Sequence, residues 1–149
     1  MPKPKTQAQI DRTTDARLLK KYGVGLDWYN TQLEKQGGVC AITGQPPGTR
    51  RLHVDHDHSW TKIEVSTDSR GMFTGDKKWA AYAEYCGGEF YGFGRTKSVA
   101  QRQVKALLKR ASVRGLLTYR ANVGLEKFSD NAVWLRAAAK YLEDHQGVK

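Results

Sequence analysis

Three of the chain's four histidines and two carboxylates crowd into six consecutive residues, His53-Val54-Asp55-His56-Asp57-His58. A carboxylate offers hard oxygen ligands to a divalent cation such as Mg²⁺, and a neutral imidazole takes a proton from water near pH 7. Together they point to metal-assisted hydrolysis. The same residues also read as a polar strand end whose carboxylates and imidazoles hydrogen-bond one another. In an extended strand successive side chains face opposite ways. Leu52 and Val54 then share one side with His56 and His58, and His53, Asp55 and Asp57 share the other. Asp55 and His56 reach one atom only if the strand end twists or bulges, and a metal there needs a further ligand from elsewhere.

The elements that must position this cluster belong to a chain of 149 residues, enough for one domain with a modest core. Hydrophobic residues make up 39%, with four Trp and seven Tyr, which argues against wholesale disorder. Lys and Arg number 25 against 15 Asp and Glu, a net charge of +10. That excess favours a polyanionic partner, because neutralising phosphates releases their counterions; nucleic acid leads and an anionic membrane surface trails. No apolar run is long enough to span a bilayer, and the first residues lack the apolar middle of a signal peptide, so the expected location is the cytoplasm, with no membrane partner. Cys40 and Cys86 are the only cysteines and are expected to be free thiols.

Sparse apolar positions suggest a helix over Gln7–Tyr22, and Leu26, Tyr29 and Leu33 a second over Leu26–Gln36, stopped by Gly37-Gly38. Both are too thinly apolar to form a bundle alone and should pack on something else, such as a second copy of the chain. The turn-forming stretch Ile42–Arg51 precedes a strand, Leu52–His56. Lys62–Ser66 and Val113–Tyr119 read as further extended pieces. A helix over Ser98–Arg110, capped by Ser98, would bury Val104, Leu107, Leu108 and Ala111 and turn Arg102, Lys105, Lys109 and Arg110 outward. A short helix over Asn122–Phe128 should precede a longer one capped by Asn131, with Trp134, Ala138, Tyr141 and Leu142 on one face.

The segments YGVGLDWYNTQLEKQGGVCAITGQPPGTRRLHVDHDH, VRGLLTYRANVGLEKF and DNAVWLRAAAKYLE resemble, in order, the phage recombination endonuclease VII family, a branch of the His-Me finger (ββα-metal, HNH-like) nucleases. The resemblance implies an α+β fold, mainly helical, with a small β-hairpin in a ββα-metal core. It also implies a structure-selective DNA endonuclease, often acting on four-way junctions, located in host cytoplasm if the chain is of phage origin. Carried over position by position, it makes Asp55 and Asn122 ligands of Mg²⁺ (or Mn²⁺), His56 the base that activates water, and His58 a contact to the phosphate or leaving group. Asn122 has a second reading as a helix N-cap, and Asp57 as a group that orients a neighbour.

Three departures from the family pattern stand out. Where two CxxC pairs would bind a structural zinc, this chain has Cys40, Thr43, Thr118 and Ala121, so no structural zinc is expected. Leu125 occupies a position where the family can carry an acid, with Glu126 one residue later as a substitute or a solvated side chain. A long insertion, 59–112, replaces a short turn and carries eight of the 15 aromatic residues and half of the net charge. Its Arg95, Lys97, Arg102, Lys105 and Lys109 are candidates for phosphate contact, while its aromatics read better as a small satellite core. The resulting division is a single nuclease domain: N-terminal helices 1–37, core 38–58 and 113–129, insertion 59–112, and C-terminal helix 130–149. The implied activity is that of a homodimer nicking two strands. A less selective HNH-type nicking or packaging nuclease, and a DNA-junction-binding protein without catalysis, are the alternatives.

Overall fold

The computed structural model describes residues 4–57, 59–67 and 78–145. Helix α1 (Gln7–Tyr22) begins at a capping box: the Thr6 hydroxyl accepts from the Gln9 amide, and the Gln9 side chain accepts from the Thr6 amide. It ends at Gly23, whose φ of 71° admits the left-handed turn. Helix α2 (Leu26–Lys35) has no cap of its own; the Asp15 carboxylate of α1 accepts from the Leu26 amide at 2.7 Å and supplies the missing acceptor.

Strand β1 (His53–His56) pairs antiparallel with β5 (Val113–Leu117), and helix α4 (Tyr119–Lys127) packs on both. Among the described residues this sheet has these two strands alone. Leu18, Tyr22, Tyr29, Cys40, Val54 and Leu116 form the core beneath it. Gln36 closes the open edge of β5, its amide accepting from the Leu116 amide and donating to the Leu116 carbonyl, both at 2.9 Å.

The insertion builds its own layer. Strands β2 (Glu64–Thr67), β3 (Trp79–Tyr85) and β4 (Gly88–Gly94) form an antiparallel sheet, and helix α3 (Lys97–Ala111) lies on one face of it. Cys86 and Gly87 make the tight β3–β4 turn with φ of 50° and 76°, the positive pair that a two-residue hairpin of this twist requires. Alanines 81, 83 and 100 with Val104 and Leu108 form a second core, flanked by Trp60, Trp79, Tyr85 and Phe90.

The fold is α+β, with five helices and two antiparallel sheets among the described residues. Strands β3 and β4 went unread in the sequence because short residues, glycine and alanine, occupy their buried side. The α3 stripe also differs from expectation: Ala100, Val104 and Leu108 are buried, while Leu107 is 45% exposed and Ala111 is exposed. The helix touches the sheet along a narrow i, i+4 row because Gly92 and Gly94 let the backbones approach closely. Its cap is Thr96, not Ser98. Helix α4 begins at Tyr119 with Thr118 as cap, so the strand expected to run to Tyr119 ends at Leu117 and Asn122 is not the N-cap. Helix α5 (Ala132–His145) is capped by Asn131, whose Oδ1 accepts from the Val133 and Trp134 amides at 2.9 and 3.1 Å.

A Cβ at position 92 would collide with the Ala100 carbonyl oxygen and lie 2.9 Å from Gln103 Cβ and Val104 Cγ2. Gly92→Ala is therefore expected to destabilise the protein by about 2 kcal/mol, seen as a lower urea midpoint at unchanged slope.

Candidate active site

The β1–β5 register pairs His53 with Leu117, Val54 with Leu116 and Asp55 with Gly115, then shifts so that His56 faces Val113. Arg114 is thus the extra residue of a bulge on β5, and the bulge falls between Asp55 and His56. This re-aims Arg114 onto Asp55. Its Nε donates to Oδ2 at 2.7 Å and its Nη2 to Oδ1 at 3.0 Å, a two-pronged contact with a carboxylate only 8% exposed. Nη2 also lies 3.2 Å from Asp130, whose loop holds Ser129 and Asp130 at φ of 52° to bring that carboxylate round. The Asp55 hydrogen bond is the largest influence on the guanidinium, and it holds the Arg114 proton more tightly than usual.

His56 meets the Tyr22 ring edge-on, with centroids 5.1 Å apart, so the end of α1 backs the imidazole. His53, at the start of β1, lies 5.5 Å from the Tyr119 ring at the start of α4. Asp57 turns to the insertion: its carboxylate accepts from the Ser59 amide at 2.8 Å and from the Tyr85 hydroxyl at 3.4 Å, and its amide donates to the Ser112 carbonyl at 2.9 Å. Burial raises the Asp57 carboxyl, but the Ser59 hydrogen bonds, Arg114 and Tyr85 outweigh it and hold the group below its ordinary value. His58 lies outside the described residues.

Asn122 is half-buried in the second turn of α4, and Leu125 packs against the core under the sheet. Glu126 is exposed and shares the helix face of Asn122, four residues on. The oxygens of Asp55 and Asn122 are the hard donors that Mg²⁺ or Mn²⁺ takes, and the Arg114 fork leaves lone pairs on both Asp55 oxygens. That donor chemistry fits a hard divalent cation.

The four positions at which the resemblance would place zinc ligands, Cys40, Thr43, Thr118 and Ala121, make the following contacts. Cys40 is 1% exposed and accepts from the Thr118 amide at 3.3 Å, Thr118 caps α4, and Ala121 packs against the core. Burial raises the Cys40 thiol, but hydrogen bonds from the Thr43 side chain and from the Thr118, Thr43 and Ile42 amides outweigh it and bring it down to about 6. Among the described residues, no three His, Cys, Asp or Glu side chains gather closely enough to hold a metal.

The insertion cations lie on α3 and just before it. Arg95, Lys97, Arg102 and Lys105 are exposed, and Lys97 stands about 20 Å from the Ser112 end of the helix at ~1.5 Å per residue. Lys109 is half-buried, and its Nζ donates to the Lys20 carbonyl at the end of α1 at 3.0 Å. A second cationic group lies nearer the DHDH cluster and was not foreseen: Arg17 and Lys21 of α1 face Arg50 and Arg51 across a cavity of about 500 Å³ that also borders His53. Burial, then Lys21, Arg50 and Arg17, push the His53 imidazole below its ordinary value. Arg114 and these four cations carried no sequence signal of their own, because each acts only through a partner distant in the chain.

Residues 15–144 match the family model described as recombination endonuclease VII. No curated protein and no solved structure matches the chain.

Removing the Arg114 side chain leaves a nearly buried carboxylate without its counter-charge. Arg114→Ala is therefore expected to lower stability by about 2 kcal/mol in urea unfolding, the lower range for a broken buried pair since the guanidinium is partly exposed. In a Cys86→Ser background, the thiolate ultraviolet absorbance should titrate near pH 6, and Thr43→Ala should move that midpoint upward. Because the folded-state value lies below the unfolded one, the thiolate's contribution to stability is fully present above about pH 9 and is lost as pH falls through about 6.

Proposed function

The chain belongs to the recombination endonuclease VII family and is by that membership an endonuclease, and from this premise we propose that it is a metal-dependent, structure-selective DNA endonuclease that cuts branched DNA such as four-way junctions. The observation that carries the reading is the end of β1. A buried Asp55 and the neighbouring His56 stand on either side of a bulge, with Asn122 on the helix packed against the same strand pair.

In this reading Asp55 and Asn122 hold Mg²⁺ or Mn²⁺. A bound cation supplies charge neutralisation at the scissile phosphate. His56, held by the Tyr22 ring, accepts the proton of the attacking water, and a neutral imidazole suits that role near pH 7. Arg114 keeps the Asp55 carboxylate oriented, with Asp130 as its second anchor. His58 contacts the phosphate or leaving group, and Glu126 supplies a carboxylate on the Asn122 face. Arg95, Lys97, Arg102, Lys105 and Lys109 extend the DNA contact over the insertion.

The protein acts as a homodimer, one active site per cut strand. Helix α5 buries none of its residues, and Val133, Trp134, Tyr141 and Leu142 are 56–65% exposed, an apolar face suited to a second copy. No helix among the described residues is long and apolar enough to cross a membrane, in keeping with a cytoplasmic DNA substrate. The Cys40 loop holds α4 without a structural zinc, through the Thr118 and Thr43 hydrogen bonds.

Purified protein with Mg²⁺ is expected to cut a synthetic four-way junction faster than linear duplex or single-stranded DNA. His56→Ala should slow cutting by about 10²–10⁴-fold. Equal rates on all substrates would point instead to a general nicking nuclease, and binding without cutting to a non-catalytic junction protein. Elemental analysis should find less than one zinc per chain.

A further inference from the structure

The cavity between α1 and the chain entering β1 has one wall from α1, carrying Arg17 and Lys21, and another from residues 50–54, carrying Arg50 and Arg51. Among the described residues no acidic side chain lines it. Arg51 pairs with Asp11 at 3.8 Å, where both side chains are 40% exposed or more, so water screens the pair heavily. Two of the cations lie against aromatic rings: Lys21 Nζ is 4.9 Å from the Tyr22 centroid and the Arg51 guanidinium 6.0 Å from that of Tyr29. Like charges held face to face across a cleft repel, and such an arrangement is relieved by an anion between them.

We infer that this cleft binds the sugar-phosphate backbone of the DNA strand being cut, beside the scissile phosphate. The inference rests on the DNA-cleaving reading of the DHDH site and extends it. Tyr22 joins the two places, since it lines the cleft and its ring meets the His56 imidazole at 5.1 Å. His53 at the cleft lies three residues from His56 on one strand, about 10 Å at ~3.3 Å per residue, a separation that a short stretch of one strand covers. Backbone rather than base recognition follows from the lining. The cations supply charge and donors, the remaining wall is largely apolar, and the Tyr29 hydroxyl is committed to the Leu52 carbonyl at 3.1 Å. The contact is therefore insensitive to base sequence, as selection by DNA shape demands.

The test measures binding of a four-way junction by His56→Ala protein, with and without Arg17→Ala, Lys21→Ala and Arg50→Ala together, across a range of salt. Each lost phosphate contact lowers the slope of log affinity against log salt by about 0.7–0.9, so the triple change should reduce it by about 2 and weaken binding at least about tenfold at physiological salt. Replacing the two arginines and retaining Lys21, as Arg17→Lys with Arg50→Lys, should keep the slope, because phosphate is read as charge. If the triple-alanine protein fails to fold, Arg50→Glu alone, in an exposed loop, should still lower both slope and affinity. An unchanged slope in a folded variant, while the parent binds with a steep one, overturns the cleft assignment alone. A parent that binds no DNA overturns it together with the nuclease reading.

Discussion

The ion pair between Arg114 and Asp55 is the constraint on which the site depends. A carboxylate 8% exposed at a strand end is costly to bury unless donors meet both of its oxygens. The bulge on β5 provides them by adding one residue opposite the Asp55–His56 step, which turns the guanidinium back along the sheet. The same shift sets Val113 opposite His56, so one extra residue on β5 both brings the arginine to the carboxylate and fixes the partner of His56. Asp130, reached through two consecutive residues with positive φ, gives the arginine a second anchor and ties the loop before α5 to the sheet.

Two cores of unlike make-up share this chain. Beneath β1 and β5 the packing is of leucine, valine, tyrosine and one cysteine, whereas the insertion packs alanine and glycine strands against a narrow helix face. They meet where Gly23 lies close against α3 and through a set of hydrogen bonds. Asp57 takes hydrogen bonds from Ser59 and Tyr85, its amide holds the Ser112 carbonyl, and Lys109 caps the end of α1. The residue directly after the candidate base is thus a joint between core and insertion, and it holds the end of β1 in place.

Much of the scaffold was legible in the chain. Helix α1 runs over the residues its spacing indicated, and Asn131 caps α5 as its position before an apolar periodic run suggested. The strands of the insertion escaped notice because close-packed sheets can use alanine and glycine, which carry little strand preference. The start of α4 was misplaced because Thr118 reads equally as a strand residue and as a cap, and only the end of β5 pairing decides between them. That the chain has a single other cysteine besides Cys40 was visible, but the donors to its thiol at Thr43 and Thr118 were not.

By itself the sequence determined which groups are available: the DHDH run, an asparagine after VRGLL, a large cationic excess and too few cysteines for the family's zinc site. Those are properties of residue type and short spacing, and they need no tertiary contact to be read. Tertiary structure alone decided that Arg114 grips Asp55 across 59 residues of chain, that Gln36 closes the edge of β5, and that Arg17, Lys21, Arg50 and Arg51 face one another over a cleft. Each of these joins segments far apart in sequence, and their geometry is set by a bulge or by helix packing. No periodicity within either segment encodes such a meeting, because it exists only once the core has brought the two together.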